Sequence, residues 1–537
     1  MHADANPFEP LWRRGLTRRG FLGAAGAAGL ALAGAGTALH RAPTAAAAGA
    51  NQLTNAELRV GIVGDPPTLD WHYTTASLTL FTCWNAQEQL VALDENFTPR
   101  PMLADSWEIS ADGMTYTFAL RKGIKFHNGK SFGADDVVAS LKRWGSIAPT
   151  AGPLFQRIES IDKRDDSTVV IKLNKRYGSL LSLLAYVGQA AAIMPADVVE
   201  AAGKERINQP IGTGPYKFVE WQPNVRIRFT RFDDYVPRPE PSSGLAGAKI
   251  PYIKDVTFTI QPDLSARLSA LLGGDIDFAM NLSADQYDLI KDRSDVKAIL
   301  LKPYSMPCLV FNSKVPPCDK VEFRQAVAAI FDCEAIMDSL GPKEFLRLDP
   351  SWMPFGPWHT TAGSQFYNQN NPAKARELLR AAGYNGEELT YISTRQYDII
   401  DKPAQVATQQ MRAAGMNINL EVVDWATLVS RRGQESGWHM FTTGWGMPND
   451  PTMYPFLSCA AKWPGFYCNP RTDELLDKFQ DEVAFEAQYK IWEQIQAQFW
   501  NDCNIVKWGD YYGLYGAKPT VEWNAFLDVH IPNMKKT

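Results

Sequence analysis

The sequence predicts a mixed α/β fold with more than one hydrophobic core. Three observations carry that reading. The chain has 537 residues, well past the ~250–300 at which a single core stops growing. Residues 389–423 read strand, helix, strand with short connections, the pattern of a right-handed parallel crossover. Residues 103–144 (LADSWEISADGMTYTFALRKGIKFHNGKSFGADDVVASLKRW) read hairpin, turn and helix.

Within that last run, Ala111-Asp112-Gly113 is turn chemistry between two strand-like stretches. Thr115 to Leu120 is rich in β-branched and aromatic residues. His127-Asn128-Gly129 makes a second turn. Gly133 can cap a helix that carries Asp135 and Asp136 in its first turn, where carboxylates suit the positive end of the dipole. Val137, Val138, Leu141 and Trp144 recur at helical spacing and predict one buried stripe.

Composition is that of an ordinary folded soluble chain: 45% hydrophobic, 21% charged, formal charge −5. That charge gives no reason to expect nucleic acid or an anionic membrane as a partner. The 16 tryptophans fill cores or line an aromatic-walled cleft.

In chain order, the N-terminus reads as a targeting segment. Thr17-Arg18-Arg19-Gly20-Phe21-Leu22 resembles the twin-arginine export motif. A mild Gly/Ala/Leu run to Leu39 and small residues from Ala45 to Ala50 follow, which offers cleavage after Ala48 or Ala50. A basic helix or membrane anchor is the alternative. The low transfer energy of Gly and Ala and the cleavage-like tail weigh against it. No other stretch reaches the ~18 apolar residues of a span. The first cysteine is Cys83, so no lipid anchor is indicated and the mature chain is expected free in the periplasm.

Glu57 to Ile62 alternates as a strand, and a helical pattern runs to about Leu90. Helices are expected near 180–186 and from about Asp197. Strands are expected over Tyr216–Trp221, Val256–Ile260 and Ile276–Phe278, with a helix over Leu264–Leu272. Gly212-Thr213-Gly214 completes neither a dinucleotide nor a Walker loop. A helix is expected from about Val321 to Leu340. Asn371, Pro372 and Gly383 punctuate another. Leu389–Ser393, Lys402–Ala414 and Asn417–Val423 form the crossover unit. One or two helices cover Thr472–Trp500, and final strands lie near Val506–Leu514 and Asn524–His530.

Ligands of open parallel sheets sit beyond the carboxyl ends of the strands. Arg395, two residues past Ser393, is therefore a candidate for an anionic group. A surface salt bridge is the alternative. The seven cysteines lie in the exported part, where disulfides are permitted. An odd count leaves at least one thiol free in a monomer. Cys459 and Cys468 flank a loop-like stretch and are the first bridge candidate. Cys308 and Cys318, around Pro316-Pro317, are the second. Neither H-E-x-x-H nor a G-x-S-x-G elbow occurs, and the seven histidines are scattered. No metal site, cofactor or enzyme is therefore predicted.

The 103–144 run, with the PIGTGPYKFVEW segment at 210–221, Gly-Asp-Ile-Asp at 274–277 and the Gly-Trp…Asp-Pro of 444–451, resembles the family 5 extracytoplasmic solute-binding proteins of ABC importers, the dipeptide, oligopeptide and nickel type. Asn128 and Gly133 depart from its usual residues. The resemblance implies a two-lobed periplasmic-binding-protein fold (class II, cluster C type) with an extra α/β subdomain in the first lobe. Residues 1–50 are signal. Residues 51–95, 210–305 and 505–537 make the first lobe, 96–209 the extra subdomain and 306–504 the second lobe.

By the same resemblance the protein is a monomeric periplasmic carrier that hands a peptide or small solute to membrane permease subunits. Arg395 would pair with a carboxylate. Trp445, Gly446 and Met447 would line the cleft, and a loop at Tyr73, Thr74 and Thr75 would face the ligand. The Asp that takes an α-ammonium in peptide-binding relatives is replaced by Pro448. The next acid is Asp450, either a substitute partner or a turn former. A non-peptide acid or metal chelate is the alternative cargo, and a periplasmic hydrolase the more distant one.

Overall fold

The computed structural model describes residues 53–207, 209–523 and 526–537. The export segment expected at 1–50 lies outside the described residues.

Strand β1 (Glu57–Ile62) forms where the alternation places it. The hairpin module follows as β2 (Ala104–Ile109) and β3 (Thr115–Leu120). Asp112 closes its turn by accepting the Met114 N–H at 3.0 Å, and Gly113 takes a left-handed φ of 72°. Helix α1 (Ala134–Ile147) starts where the Asp136 carboxylate accepts the Gly133 N–H at 2.8 Å. Val137, Leu141 and Trp144 are buried, while Val138 is half-buried. Strands β4 (Ile158–Asp165) and β5 (Thr168–Leu173) complete an antiparallel sheet of order β2-β3-β5-β4. Tyr116, Phe118 and Ile171 of that sheet share a core with α1.

His127 ties this module to the 212–214 turn. Its Nδ1 accepts the Gly212 N–H at 3.4 Å, and its Nε2 lies 2.9 Å from the Gly214 carbonyl. The ring is therefore neutral with the proton on Nε2. Burial pushes its pKa down to about 4.

The large sheet continues with β6 (Tyr216–Gln222), β7 (Arg226–Arg231), β8 (Asp255–Ile260), β9 (Phe278–Leu282) and β10 (Lys297–Phe311). The crossover unit supplies β11 (Leu389–Ser393), α2 (Asp398–Ala413), β12 (Ile418–Val422), α3 (Trp425–Arg432) and β13 (Met440–Trp445). The chain returns through β14 (Ile505–Lys507) and β15 (Asp510–Ala517). The order is β12-β11-β13-β10-β15-β9-β1-β8-β7-β6. As the crossover pattern requires, β11 runs parallel to β12 and to β13.

β10 belongs to both halves. Its first part, Lys297 to Leu301, pairs with β15, and Met306 to Phe311 pairs with β13. The β15 ladder shifts register between Leu301 and Ser305. One half has its own core around Phe311, Phe323, Tyr391 and Phe441. The other has a core around Val60, Phe258 and Phe278. β14 pairs with Cys308 to Val310, the stretch of β10 that also pairs with β13.

Other expectations shift for local reasons. The helix expected over 321–340 is two, Val321–Ile330 and Cys333–Asp338. Asp332 starts the second by accepting the Ala335 N–H at 3.1 Å. The strand expected from Ile276 begins at Phe278, just after Asp277, whose carboxylate pairs with Arg59 at 2.9 Å and Lys536 at 2.8 Å. The helical pattern expected to Leu90 ends at Cys83. α2 begins at Asp398 rather than Lys402 and carries Pro403 inside it. Among the described residues of 524–530 there is only an isolated bridge, Phe526 to Asp528, and no strand. There Asp528 accepts the Tyr515 hydroxyl at 2.7 Å and its neighbour's Val529 N–H at 2.7 Å.

Candidate binding site at the strand ends

The carboxyl ends of β11 and β13 lie beside the crossing strand β10. Trp445 pairs with Met306 and Gly444 with Pro307. A side chain at Gly444 would force its neighbours to shift. A Cβ there would stand 2.6 Å from the Ser305 Oγ and 3.0 Å from the Ile399 Cδ1. Glycine therefore lets β13 approach both the crossing strand and α2.

Beyond β11, Thr394 is buried and Arg395 is exposed. Among the described residues, no carboxylate lies within 4.0 Å of the Arg395 guanidinium. The surface-salt-bridge alternative thus has no partner there. Tyr397, 46% exposed, sets its ring edge-on to Trp425 at 5.3 Å.

Beyond β13, the Trp445 ring packs against Phe456 at 5.0 Å, Trp463 at 5.1 Å and Tyr454 at 6.0 Å. Its indole Nε1 is buried and has no hydrogen-bond acceptor among the described residues. Gly446 is exposed. Half-buried Met447 packs against both the second-half core and the core of the small sheet. Asn449 donates to the Ser182 carbonyl at 2.7 Å and leaves its own Oδ1 unpaired.

Asp450 is 1% exposed. Its Oδ1 accepts the Thr452 N–H at 2.9 Å and the Thr452 hydroxyl at 2.6 Å. Its Oδ2 is buried with no hydrogen-bond partner. The residue is thus the cap of a short turn, and its second oxygen makes no close hydrogen bond among the described residues, although the Ser179 hydroxyl lies near enough to favour its charged form. Burial raises its pKa, and the Thr452 and Ser179 hydroxyls offset part of that.

Tyr73, Thr74 and Thr75 sit elsewhere in their contacts. The Tyr73 hydroxyl donates to the Lys204 carbonyl, and its ring lies under Arg206 at 5.4 Å and Arg143 at 5.9 Å. Thr74 caps its own turn by accepting the Ala76 N–H at 3.1 Å. Thr75 is exposed. No contact among the described residues joins these three to Arg395 or Trp445.

Cys459 and Cys468 are disulfide-bonded. The loop they close carries Trp463 against Trp445 and Phe466 against Trp438. The second pairing is corrected: Cys308 and Cys318 are free and buried, as are Cys83, Cys333 and Cys503. Cys308 is a fully buried ladder residue of β10 whose thiol meets the Thr443 carbonyl at 3.6 Å. Burial raises both thiols' pKa, which keeps them protonated. No group of three potential metal ligands occurs among the described residues.

Sequence reading missed Trp425, Arg432, Asn449 and Trp463. A signal existed for the first two: positions 425 and 432 lie two turns apart on one helix face.

A two-lobed α/β fold of this kind is the architecture of an extracytoplasmic solute-binding protein. Residues 98–464 match the bacterial extracellular solute-binding proteins, family 5, and the chain belongs to that family. A probable peptide ABC transporter periplasmic-binding protein of Sinorhizobium fredii is 29% identical over 90% of this chain and 93% of its own. The glutathione-binding protein of Pectobacterium atrosepticum is 29% identical over 79% of this chain and 84% of its own. Among solved structures, the dipeptide-binding protein of Pseudoalteromonas in complex with Met-Leu superposes with a TM-score of 0.74. It shows 23% identity and covers 90% of this chain and 100% of that one.

Proposed function

We propose that this protein is the periplasmic carrier of an ABC importer for a peptide or peptide-like solute with a free carboxylate. It is exported by the twin-arginine route and acts as a monomer without catalysing a reaction. The observation that carries the reading is the exposed Arg395 guanidinium just past the end of β11, with no acid within 4.0 Å among the described residues; beyond β13, a buried oxygen of Asp450 makes no close hydrogen bond among them either. A solute with a carboxylate and an ammonium or amide donor would satisfy both. Trp445, Gly446 and Met447 would wall it. The curated relatives, named for peptide and glutathione binding, support the same class.

The first lobe in this reading is 51–95, 210–305 and the chain after Lys507. The second is 306–507, and 96–209 is the appended subdomain. Closure would bend residues 302–305 and 508–509, where the large sheet changes partners. The closed form must bind solute better than the open one for solute to drive it. That closed form would be the one the permease subunits recognise.

Pro448 at the position of the usual ammonium-binding Asp favours a second reading, a non-peptide acid or chelate. Native mass spectrometry of protein purified without refolding, with release and identification of the bound solute, tests both. One stoichiometric solute with a carboxylate is expected. A neutral solute, or turnover of a peptide, would overturn the reading.

A further inference from the structure

We propose that Arg432 is a second anion-recognition residue that selects solutes carrying an additional negative group beside an apolar or planar body. The inference rests on the carrier reading and narrows its cargo.

Arg432 ends α3. Its Cζ lies 5.3 Å from the Trp425 ring centre, 5.4 Å from Phe441 and 5.9 Å from Trp463. Such rings stabilise a cation through their faces, yet they leave the guanidinium's in-plane N–H donors without acceptors. Among the described residues no acid lies within 4.0 Å of Arg432 and no hydrogen-bond acceptor meets it. The local acid is already taken: Glu421 pairs with the neighbouring Arg431 at 2.6 Å, and Arg431 also reaches the Gly437 carbonyl at 3.2 Å. A half-buried cation with no counter-charge is an unusual expenditure of desolvation. Burial alone acts on its proton affinity and lowers its pKa.

The cage also connects to the site already described. Trp425 touches Tyr397, in the Arg395 loop, at 5.3 Å. Trp463 touches Trp445 at 5.1 Å. Two ring pairs, Tyr397 with Trp425 beside the Arg395 loop and Trp463 with Trp445 at the end of β13, are thus joined through the Arg432 guanidinium, which lies near both Trp425 and Trp463. Three donors in this region lack acceptors among the described residues: Arg395, Arg432 and the Trp445 indole N–H. A ligand that offers two carboxylates near an apolar surface supplies what they lack. A purely structural cation–π staple would need no such ligand.

The test is calorimetric titration with matched probes that differ only in one charge. The pairs are Phe-Glu against Phe-Gln, Glu-Phe against Gln-Phe, and, without an ammonium group, N-benzoylglutamate against N-benzoylglutamine. The wild type is expected to prefer the acidic member of at least one pair by about tenfold or more, as for a charge-assisted hydrogen bond. Arg432→Gln should reduce that preference below about threefold, and Arg432→Lys should restore part of it. Arg395→Gln should weaken both members of the pair alike. Equal binding of the paired probes by the wild type, or an unchanged preference in a folded Arg432→Gln, would overturn the proposal while leaving the carrier reading intact. If the wild type bound none of the probes and the solute it retained on purification were neutral, both would fall together.

Discussion

Replacing His127 by Gln should make the protein less stable at neutral pH and more stable than the wild type in acid. In the wild type the half-buried ring is held neutral between the Gly212 N–H and the Gly214 carbonyl. Its pKa falls from the ordinary 6.5 to about 4. The unfolded chain therefore binds a proton at His127 as pH drops below 6.5, and the folded chain does not. Stability from this residue is fully present above pH 6.5, is lost as pH falls towards 4, and is then constant. At ~1.4 kcal/mol per pH unit over that window, the loss amounts to ~3.4 kcal/mol. Gln has no such titration. Removing the ring costs ~1–2 kcal/mol at pH 7 through its two hydrogen bonds and its packing, so the two stability curves should cross near pH 5.5.

The assay is urea unfolding followed by tryptophan fluorescence at half-unit steps from pH 7.5 to 4. The difference between wild type and variant is the quantity to plot, because other groups titrate in the same window. Asp528, raised by burial to about 6, takes up a proton in the folded state first and acts with the opposite sign. The difference cancels that contribution. A wild-type-minus-variant stability that stayed flat from pH 7 to 4.5 would refute the reasoning.

Two further outcomes follow from the site. Gly444→Ala, whose Cβ would stand 2.6 Å from the Ser305 Oγ, should destabilise by ~1–3 kcal/mol, typical of overpacking, and weaken binding of the retained solute; thermal melts and calorimetry check both. Joint replacement of Cys459 and Cys468 by Ser should cost ~2–3 kcal/mol, as expected for a short closed loop. It should also lower solute affinity, because the loop carries Trp463 to Trp445. A reducing agent should reproduce the loss in the wild type and change nothing in the variant.

What the sequence disclosed was local and periodic. β1 and β11 match the expected bounds residue for residue. The Asn371 cap forms, with its side-chain Oδ1 accepting the Lys374 N–H at 3.0 Å. Both succeed because alternation and capping depend on near neighbours. The helix break at Asp332 was hidden because apolar spacing continues across it, and only the competing side-chain cap ends the first helix. The Cys308–Cys318 pairing failed because proximity in sequence does not report which way a ladder residue points.

The site was legible to a similar depth. The candidacy of Arg395 could be read from its place after a parallel strand. Its lack of an acid, the buried oxygen of Asp450 and the ring cage of Arg432 could not. Each depends on which distant side chains fail to arrive, and spacing along the chain carries no record of that.

The most direct test of the carrier account is calorimetric titration of the released solute against the wild type and Arg395→Ala. The residue is exposed, so the variant should fold as the wild type does. A charge-assisted contact to a carboxylate predicts a loss of ~10- to 100-fold in affinity, with stoichiometry unchanged. Unchanged affinity for a carboxylate-bearing solute would contradict the account and remove Arg395 from the site.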